Sequence, residues 1–161
     1  MVSIRRALPE DDDGIWTILE PMIRMGDTYA LPRSLSRDEA LAYWRGPGNS
    51  VFVAEEGGVI LGTYILRANQ QGGGSHVSNC GYVTAPFANG RGVASAMCRD
   101  SLARAAAAGF RAMQFNFVVS TNDRAVNLWK RNGFEIVGTL PDAFLHPTLG
   151  YVDAFVMFRS L

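Results

Sequence analysis

Thr84-Ala85-Pro86-Phe87-Ala88-Asn89-Gly90-Arg91-Gly92-Val93-Ala94 joins a β-type segment, 76–84, to a helical one, 91–108. Small residues here let the backbone curl until several N–H groups converge. Together with the positive end of the following helix, they form a site suited to a phosphate or pyrophosphate. Two nucleotide-binding patterns fail on it. A P-loop needs Lys and Ser/Thr after its last glycine, and Gly92 is followed by Val93-Ala94. A dinucleotide fold needs an acidic residue ending the next strand, and that strand ends Val118-Val119-Ser120.

Outward from this turn, strands and helices interleave. On the N-terminal side, 51–55 and 59–66 read as strands joined through Gly57-Gly58, a hairpin. Gln70-Gln71-Gly72-Gly73-Gly74 is a loop. Ile15, Trp16, Ile18, Leu19, Met22 and Ile23 recur at helical spacing, and Pro21 among them predicts a kink or two short helices. Ser36-Arg37-Asp38-Glu39 is a capping box opening a helix to Arg45. A short strand covers 2–7. Within the long helix, Ala94, Met97, Cys98, Ser101 and Ala105 share one face, and Arg99, Asp100 and Arg104 the other. Then follow a strand over 111–119, a helix over 122–132 ended by Gly133, and strands over 134–137 and 151–158. The pattern predicts a mixed α/β layer architecture.

Composition narrows the function. At 161 residues, one domain over 1–161 is expected. Fifteen Lys+Arg balance fifteen Asp+Glu, which leaves no electrostatic footprint for nucleic acid. Lys130 is the only lysine, a hint of a GC-rich bacterial genome. Two cysteines, Cys80 and Cys98, lack CxxC spacing, and with two histidines no metal site is expected. Met1 to Arg6 runs straight into charge, and no apolar run approaches a membrane span, so a cytoplasmic protein is expected.

A second segment adds to the first. Asn122-Asp123-Arg124-Ala125-Val126-Asn127-Leu128-Trp129-Lys130-Arg131-Asn132-Gly133-Phe134 resembles the Asn-x-x-Ala-x-x-Leu-Tyr-x-x-x-Gly-Phe helix of the GCN5-related N-acetyltransferases. The 84–94 segment resembles the acetyl-CoA loop of that family, Gln/Arg-x-x-Gly-x-Gly/Ala, with Asn89 where Gln or Arg is usual. The resemblance covers essentially the whole chain. It implies a mostly antiparallel central sheet, splayed in the middle and flanked by about four helices. It also implies direct acetyl transfer from acetyl-CoA, as co-substrate, to an amine.

On this resemblance Gly90, Arg91, Gly92, Val93, Ala94 and Ser95 hold the pyrophosphate, with Thr84 and Asn89 beside them. Asn122 bonds the pantetheine arm, and Arg124 either reaches a CoA phosphate or lies on a solvated helix face. Trp129 stands where many members carry a Tyr that protonates the leaving thiolate. An indole N–H has no such acidity, so Trp129 reads as packing or as a wall for pantetheine. That substitution also keeps open a non-catalytic acyl-CoA sensor.

The acceptor side rests on Asn79 and Asn116, both in mid-strand, where Asn is disfavoured. Asn79-Cys80-Gly81-Tyr82 and Asn116-Phe117-Val118-Val119-Ser120-Thr121-Asn122 resemble a family subset that includes the yeast acetyltransferase detoxifying azetidine-2-carboxylate, a proline analogue. That likeness implies that Asn79, Tyr82 and Asn116 contact an amino acid's carboxylate or the reacting centre. Thr28 and Tyr29 fall between the first two helices, and His146 precedes the last strand; all three are candidate acceptor contacts. No Glu lies in the central strands, and the general base stays open between Asp153 and a water chain. The expected acceptor is a small amine, an amino acid or analogue, with a protein N-terminus as the alternative. A homodimer through the last strands is a further expectation.

Overall fold

Ile15, Ile18, Leu19 and Ile23 form one buried stripe of a single helix, α1 (Asp12–Met25), which runs on through Pro21. The expected division into two helices does not occur. Pro21 lies on the exposed side, where water can take the carbonyl its missing N–H leaves free. The structure, a computed structural model, describes all 161 residues. Before α1 comes β1 (Ser3–Arg6), and after it α2 (Arg37–Trp44). The capping box of α2 is formed in both directions, Glu39 N–H to Ser36 Oγ (3.2 Å) and Ser36 N–H to Glu39 Oε2 (2.8 Å).

The hairpin is β2 (Ser50–Glu56) and β3 (Val59–Ala68), turned by Gly57 and Gly58, both with positive φ. Then follow β4 (Val77–Thr84), α3 (Val93–Ala107), β5 (Ala112–Val119), α4 (Asp123–Arg131), β6 (Glu135–His146) and β7 (Gly150–Ser160). They make one seven-stranded sheet in the order β1-β2-β3-β4-β5-β7-β6. Every pair is antiparallel except β4–β5. This is the mixed, mostly antiparallel sheet with four α-helices that the sequence implied. No helix is long and apolar enough to cross a membrane.

Register sorts the side chains by face. Trp44 of α2 is fully buried, and its indole N–H donates to Thr63 Oγ1 (3.0 Å), whose hydroxyl donates to the Phe52 carbonyl (2.8 Å). So Thr63, and with it Ile65 and Arg67, point to the α1–α2 side. Gly62 points the other way, where a Cβ would meet Met97 of α3 at 2.8 Å. The cross-strand pairs Ile65–Gly81 and Arg67–Asn79 put odd-numbered β4 side chains on the α1–α2 face.

Two details differ from the sequence reading. On the charged face of α3, Asp100 and Arg104 are tied to the sheet rather than left free. Tyr64 donates its hydroxyl to Asp100 (2.6 Å), Arg104 pairs with Asp100 (2.7 Å), and the guanidinium carbon lies 4.5 Å from the centre of the Phe52 ring. And β6 runs well past Val137, through Pro141, to His146. Pro141 is tolerated because β6 is an outer edge, where no ladder bond needs its N–H.

Candidate functional site

Strands β4 and β5 pair at only two positions, Val77–Ala112 and Ser78–Met113. Past Ser78 the ladder stops, and a cavity of about 540 Å³ lies between the strands, lined by 79–84 on one side and 115–119 on the other. Val77 and Ala85 bond backbone to backbone toward β3. By antiparallel alternation the N–H and C=O groups of Cys80, Tyr82 and Thr84 face the opening instead. On β5, three steps from Phe115 to Val118 oppose two from Met157 to Phe155, a bulge at Asn116–Phe117. The bulge explains how an Asn sits in mid-strand.

The glycine turn adjoins the α3–α4 side of the cavity, which its flanking residues Asn89 and Ala94 line. Gly90 and Gly92 have φ of +79° and +78°, and a Cβ at either would find nothing within 4 Å. The first bond of α3 is Ala96 N–H to the Gly92 carbonyl (3.0 Å), so the amides from Gly92 to Ser95 precede the ladder. They are donors at the positive end of a helix, open to an anion. Arg91 spends its guanidinium on Glu56 and its amide on the Ala88 carbonyl (3.3 Å), and the Ser95 hydroxyl accepts from Arg99 (2.7 Å), so Ser95 offers its amide rather than its side chain and Arg91 offers neither. Thr84, Asn89, Ala94, Asn122, Arg124 and Trp129 line the cavity. Asn122 caps α4, its side-chain oxygen accepting from Ala125 N–H (3.3 Å), which leaves its amide nitrogen free. Arg124 is exposed and unpaired. Trp129 is buried between Phe115 and Tyr82, with ring centroids at 4.8 and 4.9 Å.

Across the sheet, the α1–α2 side holds Thr28, Tyr29, Asn79 and Asn116 at the same cavity. Tyr29 donates its hydroxyl to the Tyr82 carbonyl (3.2 Å). Only a glycine at 81 permits this, since a Cβ there would stand 2.9 Å from the Tyr29 oxygen. Asn79 donates to the Gln114 carbonyl (2.9 Å), just where the backbone pairing of β4 with β5 has stopped. Asn116 donates to Asn69 (2.6 Å) and accepts from Gln114 (3.0 Å). The two asparagines are therefore linked through Gln114, not paired with each other. Asp27, which the sequence reading passed over, is the one acidic side chain on the cavity wall.

Two expectations are corrected, those for His146 and Asp153, while Tyr82 stays on the cavity wall by its ring and backbone and not by its hydroxyl. The Tyr82 hydroxyl does not face an acceptor: it bonds Ser101 (2.6 Å) on the α3 side, and burial pushes its ionisation well above the usual range. Tyr82 contributes its ring as wall and its backbone to the opening. His146 lies outside the cavity, at the β6–β7 turn, where its Nδ1 accepts from Thr148 and Leu149 N–H (3.2 Å each). Asp153 is also absent from the cavity wall and accepts from Asp142 N–H (3.0 Å). His146→Ala should accordingly leave kcat/KM for any acceptor within twofold of wild type, as read in steady-state assays.

Cys80 is the one thiol on the wall, and burial pushes it up to about 12. It is a neutral thiol near pH 7, a poor nucleophile. The arrangement favours two reactants meeting across the opening over a covalent relay through Cys80. It offers an anion cradle on one face, a polar pocket on the other, and unpaired backbone donors between them.

Three comparisons with known proteins bear on this geometry. Residues 16–134 match the profile of the Acetyltransferase (GNAT) family. The N-acetyltransferase aca1 of Schizosaccharomyces pombe is 28% identical over 151 residues, covering 83% of this chain and 72% of that one. A GCN5-related N-acetyltransferase from Kribbella flavida superposes with a TM-score of 0.94 at 40% identity, covering 99% and 98% of the two chains. A phosphinothricin acetyltransferase from Sinorhizobium meliloti, solved with AcCoA, superposes at 0.85 with 22% identity, covering 99% and 88%. At that identity the last likeness is one of fold.

Proposed function

Because the chain belongs to the acetyltransferase (GNAT) family and is an N-acetyltransferase, we propose that it moves an acetyl group from acetyl-CoA to the amine of a small molecule, an amino acid or close analogue. The whole of 1–161 is read as one catalytic domain. The observation that carries the acceptor reading is the size of the cavity and its narrowing by Tyr29. About 540 Å³ must take both the thioester end and the acceptor, and Tyr29 is tied across it to the Tyr82 carbonyl. That space suits a small amine better than a folded protein surface.

The chain's residues fit acetyl-CoA at the α3 side. The open cradle at Gly90 and Gly92 and the free amides up to Ser95 suit a pyrophosphate. Trp129, Phe115 and the free amide nitrogen of Asn122 would wall and hold the arm that enters the opening. Acetyl-CoA supplies the activated acetyl group. The backbone N–H groups of Cys80, Tyr82 and Thr84 are donors for the acyl oxygen as it gains charge, the largest contribution to many acyl transfers. The amine nitrogen forms the new bond to the acyl carbon, the carbon–sulfur bond breaks, and the amine gives up a proton. Asp27 is the carboxylate on the wall that can receive it. Trp129 supplies no proton to the sulfur, which leaves as a thiolate and is protonated by water.

Two tests follow. Release of CoA thiol should be seen with amino acids and not with peptides bearing the same N-terminal residue; the reverse preference would make the enzyme a protein N-terminal acetyltransferase. Gly92→Val should weaken acetyl-CoA binding at least tenfold, about 1.4 kcal/mol, by calorimetry. A branched side chain is strained at that φ and would project into the open cradle. An unchanged affinity would move the phosphate site elsewhere.

The reading extends to setting and assembly. We read its setting as a bacterial cytoplasm, on the hint given by Lys130 as the only lysine. The outer β6–β7 arm exposes Val137, Leu145, Leu149 and Tyr151, each more than half accessible. We read this apolar arm as a homodimer face, and sedimentation at micromolar concentration should give twice the monomer mass.

A further inference from the structure

We infer that Arg67 recognises an acidic group on the acceptor, the carboxylate of the amino acid; this rests on the small-acceptor reading above. Arg67 is half-buried on β3, opposite Asn79 and on the same α1–α2 face. Its Nε donates to Asn79 Oδ1 (3.3 Å), and its two terminal nitrogens have no partner. The other half-buried arginines are all answered. Arg5, Arg45 and Arg104 each pair with a carboxylate, and Arg159 donates to the Asn132 carbonyl at the end of α4.

No acid pairs with Arg67. What surrounds it is a run of neutral amides: Asn79, bonded to the Gln114 carbonyl, then Gln114, Asn116 and Asn69 bonded in series. Neutral amides fix a guanidinium in place without discharging it. They leave its planar fork available to two oxygens at once, the geometry that suits a carboxylate. Asn79 and Asn116 both line the cavity, and Arg67, which is not itself on the wall, adjoins it through Asn79 where β4 and β5 part. In an amino acid the amine and the carboxylate sit on one carbon. A carboxylate held beside Asn79 turns the amine toward the backbone donors of β4.

The experiment compares kcat/KM for an amino acid with that for its primary amide, which keeps the amine and loses the charge. Wild type should prefer the acid at least tenfold. Arg67→Gln, whose amide can still donate to Asn79, should lower that ratio at least tenfold, through KM for the acid. Arg67→Lys, with the charge but not the fork, should fall between. A purely structural Arg67 would lower both substrates together, and an unchanged ratio in either variant overturns the inference while amino-acid acetylation stands. Equal use of acid and amide by wild type also overturns it. Turnover of neither by wild type removes the small-acceptor reading, and this assignment with it.

Discussion

Trp129→Ala is expected to cost the fold about 3–5 kcal/mol, the range for emptying a large aromatic site. Trp129 is 8% exposed and wedged against Phe115, Tyr82 and Phe134, with centroids at 4.8, 4.9 and 6.4 Å. Its removal would open a void continuous with the cavity and strip Tyr82 of one wall. Against a total stability of about 5–15 kcal/mol, that is a large share, and denaturant titration reads it directly. Trp129→Phe keeps most of the contact and serves for the chemistry. Its pH dependence of kcat should match wild type, because an indole has no proton to give at these pH values. A lost basic limb in that variant would show that the proton donor depends on this position after all.

The cofactor side of the site was legible because it is local. A glycine turn, a helix start and a capping asparagine lie within short stretches of chain, and their backbone amides work whatever surrounds them. The departure at Asn89 from the family's Gln or Arg leaves those amides in place. The acceptor side was less legible because it is assembled by register. Tyr29, Asn79 and Asn116 come from three separate elements, and only the alternation of β3 and β4 shows which side chains share a face. Arg67 gave no signal in sequence, since an arginine near a strand end reads as solvated. The pairing with Asn79 is what brings it to the site. Asp27 was passed over beside Thr28 and Tyr29, because nothing in the order of residues says which loop side chains turn inward. His146 failed for the opposite reason: its residue type suits a site, but packing holds its ring in a turn, and at Tyr82 packing directs the hydroxyl at Ser101 and leaves only ring and backbone to the cavity. The edge strand β6 runs past the expected end at Val137 because its outer edge tolerates Pro141.

Asn79 and Asn116 look alike in the sequence and should behave differently on truncation. Asn79 is 8% exposed and bonds at both ends of its amide, to the Gln114 carbonyl and to Arg67. Its side chain replaces the ladder bond missing at the point where β4 leaves β5, and so fixes where the opening begins. Asn79→Ala would leave a buried carbonyl unpaired and free the Arg67 side chain. The stability loss should be about 1–3 kcal/mol. The same change should lower kcat/KM for the acceptor by roughly tenfold to a hundredfold, about 1.5–3 kcal/mol. Asn116 is exposed, in the bulge, and bonds only to other side chains, which water can replace. Asn116→Ala should therefore change stability by less than about 0.5 kcal/mol while still lowering kcat/KM for the acceptor. Acetyl-CoA affinity should hold in both, because the cradle from Gly90 to Ser95 lies on the other face of the sheet. Melting curves, acceptor kinetics and acetyl-CoA calorimetry on the two variants separate the roles. Full acceptor efficiency in Asn116→Ala would make that residue a support of the bulge. A loss of acetyl-CoA binding in Asn79→Ala would mean that the opening is shared between the two ligands, and that the sheet does not divide them.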